Sequence, residues 1–163
     1  MARDDGAVGH DVRVQISARA DYAVRAMLEL AATDHVVTAA ALADGQGLPH
    51  KFLEAILSDL RRAGLVRSQR GAEGGYRLTA PADQIAIGDV IRAVDGPLAG
   101  VRGMRPEEAR YDGVAEHLQT VWVATRSAIR SVLDETTLAH VVSGDLPEHV
   151  RGLSDAPGAW QPR

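Results

Sequence analysis

Between residues 47 and 79 the alternation of apolar and polar positions predicts a helix followed by two short strands. Phe52, Leu53, Ile56, Leu57 and Leu60 recur at helical spacing. That places one side of the helix against a core, while His50, Lys51, Glu54, Ser58 and Arg61 face elsewhere. Gly64 is the expected stop, since glycine accepts the left-handed conformation at a helix C-terminus. Residues 65–69 and 76–79 then read as the strands of a hairpin, and GAEGG between them supplies a turn able to take positive φ.

The flanking segments support that unit. Ala20, Ala23, Val24, Met27, Leu28 and Ala31 follow the 3.6-residue period behind Ser17, a suitable N-cap. Thr38 can cap a short helix over 39–44, GQG breaks it, and Pro49 opens the long helix at its favoured first turn. Two helices joined by a short glycine-containing turn and followed by a hairpin make a winged helix-turn-helix, so the fold class is mainly α with a small β-hairpin. Ile87, Val90, Ile91 and Val94 form a further amphipathic helix, and 97–113 is an irregular glycine- and proline-bearing loop.

Periodicity returns over 114–133. Leu118, Trp122, Thr125, Ile129 and Val132 are spaced four and three apart in alternation, the seam of a helix that pairs with another helix, and Val121, Ala128 and Leu133 widen the apolar side. We expect this seam to bury against the same helix of a second subunit. A monomer that folds the helix back on itself is the alternative. Thr136 and Thr137 start a brief closing helix. The division expected is therefore a disordered arm over 1–13, a winged helix-turn-helix over 14–96, a loop over 97–113, a dimerisation helix and closing helix over 114–142, and a flexible tail over 143–163.

Charge turns this architecture towards nucleic acid. The formal net charge is −4, which by itself opposes a phosphate partner. Its distribution reverses the inference: residues 60–79 hold Arg61, Arg62, Arg67, Arg70 and Arg77 against Glu73 alone, whereas 81–163 hold eight arginines against twelve carboxylates. Ser17, Arg19 and Tyr22, at the start of the first helix, have two open readings, as core support or as phosphate contacts. There is no cysteine, which removes disulfides, thiolate metal sites and thiol redox switching. Scattered histidines, no nucleophile elbow and a GAEGG turn without a phosphate-loop lysine argue for no catalytic site. No apolar run reaches the length of a membrane span and the first residues lack a signal-peptide core, so a cytoplasmic, nucleoid-associated protein is expected.

The segments ADYAVRAMLELA, FLEAILSDLRRAGLV, RGAEGGYRL, IGDVIRAVDG and VWVATRSAIRSVLDETTLAHVV together resemble the Rrf-two family of bacterial winged-helix transcription regulators over roughly residues 16–142. The resemblance implies a homodimer held by the long C-terminal helix, binding palindromic double-stranded DNA and usually repressing transcription. It places Pro49, His50, Lys51 and Glu54 where groove-reading residues fall, and Arg70 where a wing arginine enters the minor groove. Glu54 can accept from a cytosine amino group and Lys51 or His50 can donate to guanine or phosphate. Arg61, Gly71, Gly74 and Arg77 complete the expected DNA-binding set. Many members carry three cysteines in the loop before the dimer helix that ligate an iron–sulfur cluster; the corresponding stretch, 98–117, has none, so neither cluster nor other cofactor is expected. Glu107, Glu108 and His117 read either as a hard-metal set or, better, as a solvated loop. The effector is left open between a small molecule, a protein and none. The competing reading of the whole chain is a protein-interaction module that keeps a winged-helix surface without binding DNA.

Overall fold

The computed structural model describes residues 15–162; the arm expected over 1–13 lies outside them. Helix α1 (Ala18–Ala31) is capped by Ser17, whose Oγ accepts the Ala20 N–H at 2.9 Å. It buries Ala20, Ala23, Ala26, Met27 and Leu30. Three of those five are alanines, so neighbouring backbones approach closely, and α1 becomes the central strut of the winged-helix body. Val24, Leu28 and Ala31 are only partly covered.

The short helix α2 (Ala39–Gln46) is capped by Thr38 and runs two residues past the expected end, to Gly47 at φ 64°. Helix α3 (His50–Arg62) has Pro49 at its N-cap rather than in its first turn. Leu53, Ile56, Leu57 and Leu60 are fully buried, and truncating any of them to alanine costs about 2–5 kcal/mol. Phe52 corrects the expected stripe: it is 37% exposed, because its ring is turned outward to meet Tyr22 edge-on.

Strands β1 (Val66–Gln69) and β2 (Gly75–Leu78) pair antiparallel, with Val66 opposite Leu78 and Arg67 opposite Arg77. Val37 extends the sheet by one residue on the other side of β2. It donates its N–H to the Tyr76 carbonyl at 3.0 Å and accepts the Tyr76 N–H at 2.8 Å. The backbone comes so close there that a Cβ on Gly75 would lie 2.5 Å from the Val37 carbonyl oxygen, so only glycine fits.

Helix α4 (Ile87–Asp95) lies across α1. After the loop, α5 (Leu118–Leu133) is followed by α6 (Leu138–Ser143) and α7 (Glu148–Ser154). Two features differ from the expected division. The chain re-enters the first unit beside α4, where Ile87 N–H donates to Thr136 O at 2.8 Å and Leu138 N–H to Ile85 O at 2.9 Å. Leu138 is fully buried in the same core as Met27 and Leu57, so α6 belongs to the winged-helix body. The expected flexible tail instead contains α7, which starts after Pro147 and packs no buried residue. The 97–113 loop is ordered against α5: a tight turn brackets Arg102 and Gly103, and a single helical turn at Pro106–Glu108 buries Pro106.

Candidate nucleic-acid interface

The outward face of α3 carries His50, Lys51 and Glu54, all exposed. No side chain caps its first turn and no carboxylate lies there. The positive end of the helix dipole, the free N–H groups and two basic side chains therefore point the same way, an arrangement that favours an anion. His50 Nδ1 is 3.4 Å from Glu54 Oε1 one turn along, and both side chains stay exposed.

Helix α1 flanks this face. Tyr22 meets Phe52 with ring centroids 5.9 Å apart and planes at 88°, while the Arg25 guanidinium lies 5.6 Å over the Tyr22 ring. The stack holds Tyr22, half-buried, beside α3. Ser17 and Arg19 are placed differently. Ser17 spends its hydroxyl on the helix cap and on Asp95. Arg19 is paired with Asp59 of α3, which also holds Arg62 at 3.0 Å. Both side chains are thus committed within the fold, and each has a carboxylate beside it that repels phosphate.

At the end of α3 and on the wing the pattern is the opposite. Arg61, Arg67, Arg70 and Arg77 are exposed and make no ion pair among the described residues. The hairpin register sets Arg67 beside Arg77; Arg77 belongs to the expected DNA-binding set and Arg67 does not, although its exposed strand position carries the same charge outward. Arg70 stands at the tip before Gly71. The tip is tight: a Cβ on Gly74 would lie 2.5 Å from the Gln69 carbonyl, which requires glycine for close backbone approach.

The second expected surface is on α5, where no residue is buried. Val121 is 52% exposed, and Leu118, Trp122, Thr125, Ile129 and Val132 are half-buried. Trp122 turns partly towards its own loop, donating Nε1–H to the Tyr111 hydroxyl at 3.0 Å. Ile129, Val132 and Leu133 line an apolar groove of about 610 Å³ shared with Ile91 and Leu98. Among the described residues no helix is long and apolar enough to cross a membrane.

The family description raises a metal question that the donor set answers. The chain has no cysteine, and among the described residues no three histidines or carboxylates come together. Glu107 is taken by Arg126, Glu108 accepts the Arg105 N–H at 3.2 Å, and His117 lies 3.2 Å from Glu116. These residues do not fit an iron or iron–sulfur centre.

Comparison with known proteins agrees with the architecture. Residues 16–144 match the Rrf2 family model, described as an iron-dependent transcriptional regulator. A Mycobacterium tuberculosis protein named as an HTH-type transcriptional regulator is 51% identical over 144 residues, covering 87% of this chain and 89% of the relative. The solved structure of CymR, the global cysteine regulator of Bacillus subtilis, superposes with a TM-score of 0.69 at 35% identity, over 80% of this chain and 97% of that one. The T. potens IscR structure gives 0.65 at 33% identity, over 80% and 88%.

Proposed function

The chain belongs to the Rrf2 family of transcriptional regulators, and from that premise we propose that it works as a cytoplasmic, nucleoid-associated homodimer that represses transcription by binding a palindromic operator without a cluster. The relatives and the fold are those of regulators, not of enzymes. The observation that carries the DNA reading is the exposed, unneutralised arginine edge of Arg61, Arg67, Arg70 and Arg77 beside the open first turn of α3. In an acidic chain, cations left without partners on one edge are placed for phosphate.

In this reading Pro49, His50, Lys51 and Glu54 enter the major groove, and Arg70 with Gly71 and Gly74 follows the backbone into the minor groove, whose narrow regions attract arginine. Arg61, Arg77 and Tyr22 hold the flanking phosphates. Ser17 and Arg19 act through position, anchoring α1 to α4 and α3. The apolar side of α5 pairs with its copy through Leu118, Val121, Ile129 and Val132, with Trp122 and Thr125 at the edge. A two-fold pair sets its two α3 helices roughly 34 Å apart, one turn of DNA, which accounts for a palindrome.

The test is binding to the DNA upstream of the protein's own gene against random competitor over a series of salt concentrations. Selective binding with a steep salt slope is expected, and Arg70→Ala should cost roughly 1–3 kcal/mol. No preference over random DNA, together with an unchanged Arg70→Ala affinity, would transfer the case to a protein-docking role for the same surface.

A further inference from the structure

A second concentration of charge lies away from the DNA edge, in a cleft of about 550 Å³ between the end of α4, the 97–113 loop and α5. Its guanidinium groups are Arg92, Arg105, Arg126 and Arg130, facing the carboxylates of Glu107 and Asp134, so the lining carries an excess of two positive charges. Asp134 is shared, accepting from Arg92 Nη1 at 2.8 Å and from Arg130 Nε at 3.2 Å. Glu107 is held by Arg126. The Arg105 guanidinium makes no ion pair among the described residues, and the Arg130 side chain is 59% exposed. Arg126 and Arg130 stand one turn apart on the same side of α5, where like charges repel, and the two carboxylates beside them are outnumbered by the four guanidinium groups of the lining.

Part of the lining is apolar, made by Pro97, Leu98 and Ala99. The cavity is also much larger than a single inorganic ion, and it falls within the size range of small-molecule sites. We infer that this cleft binds a small organic dianion, with its acidic oxygens on Arg105 and Arg130 and its carbon body against Pro97 and Leu98. Guanidinium groups take carboxylate and phosphate by the same paired N–H geometry, so both sources share this chemistry.

Occupancy has a mechanical consequence. Arg92 and Asp134 join α4 to the end of α5, and Arg92 is tied in turn to Asp89 at 2.9 Å. A ligand that draws Arg130 away from Asp134 leaves that carboxylate to Arg92 alone and tightens the one charged strap between the winged-helix body and α5 among the described residues. The anion thereby acts on DNA binding, a role that rests on the regulator reading above.

The experiment is calorimetric titration of the full chain, without DNA and at constant ionic strength, with succinate, with glycerol phosphate and with neutral succinamide. One or both dianions should bind and succinamide should not; which of the two binds identifies carboxylate or phosphate as the recognised group. Combined Arg105→Gln and Arg130→Gln should weaken binding by at least about tenfold, and Arg130→Lys, which keeps the charge but loses the paired N–H geometry, should weaken it less. Thermal melting of the unliganded variants separates lost binding from lost folding. Absence of binding by both dianions, or equal binding by the double variant, overturns the site. Because no DNA is present, a failed operator assay leaves this result standing, whereas operator affinity unchanged by a saturating dianion overturns the effector role.

Discussion

Gly88 on α4 lies directly against the Asp134 side chain at the end of α5: a Cβ on Gly88 would sit 2.0 Å from Asp134 Oδ1 and 3.3 Å from Arg92 Nη1. The missing side chain is the space through which Asp134 reaches Arg92. Gly88→Ala must therefore push Asp134 aside and break that pair, although alanine by itself favours a helix over glycine by up to about 1 kcal/mol. In an Asp134→Ala background the same substitution should be neutral or stabilising. Denaturant unfolding of the four-member cycle should give a coupling of about 0.5–3 kcal/mol, and additivity would contradict the contact.

Arg67 and Arg77 sit opposite each other on β1 and β2, both exposed. Like charges in direct cross-strand register are destabilising. Arg67→Thr should accordingly leave the free protein as stable or slightly more stable, yet weaken DNA binding on all sequences and reduce the salt slope by about one unit. Melting curves and salt-dependent binding isotherms check the two halves of this expectation separately.

Asp59 grips Arg19 and Arg62 while only 18% exposed, and Arg19 Nε is buried without a partner among the described residues. Asp59→Ala removes the one carboxylate that holds Arg19 in place. A loss of about 1–3 kcal/mol is expected in urea unfolding, larger than the loss for Arg19→Ala, which leaves Asp59 with Arg62.

The 97–113 loop should respond to acid. The Glu107 carboxyl lies below its ordinary value of 4.5, held there by its own backbone N–H and then by Arg126 and Arg105. A carboxyl depressed in the folded state contributes stability that is complete above its unfolded value and is lost as pH falls through the folded one. Loop order should thus be constant at neutral pH and decline below about 4.5. Trp122, bonded to Tyr111 of the loop, reports it by fluorescence in a Trp160→Phe background, and Glu107→Gln should abolish the acid-dependent component.

On α5, Val121 is exposed and Ile129 is half-buried in the apolar groove. A charge there opposes burial of the seam, so Ile129→Glu should convert a dimer to a monomer in light scattering. DNA binding should then fall towards that of a single half-site. A monomeric parent protein would remove the basis for the two-fold operator.

Much of the winged helix is written in local chemistry. Ser17 and Thr38 announce helix starts because their hydroxyls accept from the free N–H groups of the first turn. The spacing of Leu53, Ile56, Leu57 and Leu60 reports one buried side, and GAEGG reports a tight turn, in which Gly71 takes φ 107°. Phe52 escaped that logic, since helical spacing cannot distinguish a core residue from one that stacks on Tyr22 at the rim. The commitment of Arg19 to Asp59, forty residues away, has no local signature at all.

What the sequence alone determined, then, is the set of elements and where their cations lie, because caps, turns and periodicity act within a few residues. Only the tertiary structure decided that α6 joins the winged-helix core through Leu138, that Gly88 yields space to Asp134, and that four arginines from α4, the loop and α5 share one cleft. Those relationships join positions tens of residues apart, where proximity depends on how whole helices pack and not on any neighbour in the chain.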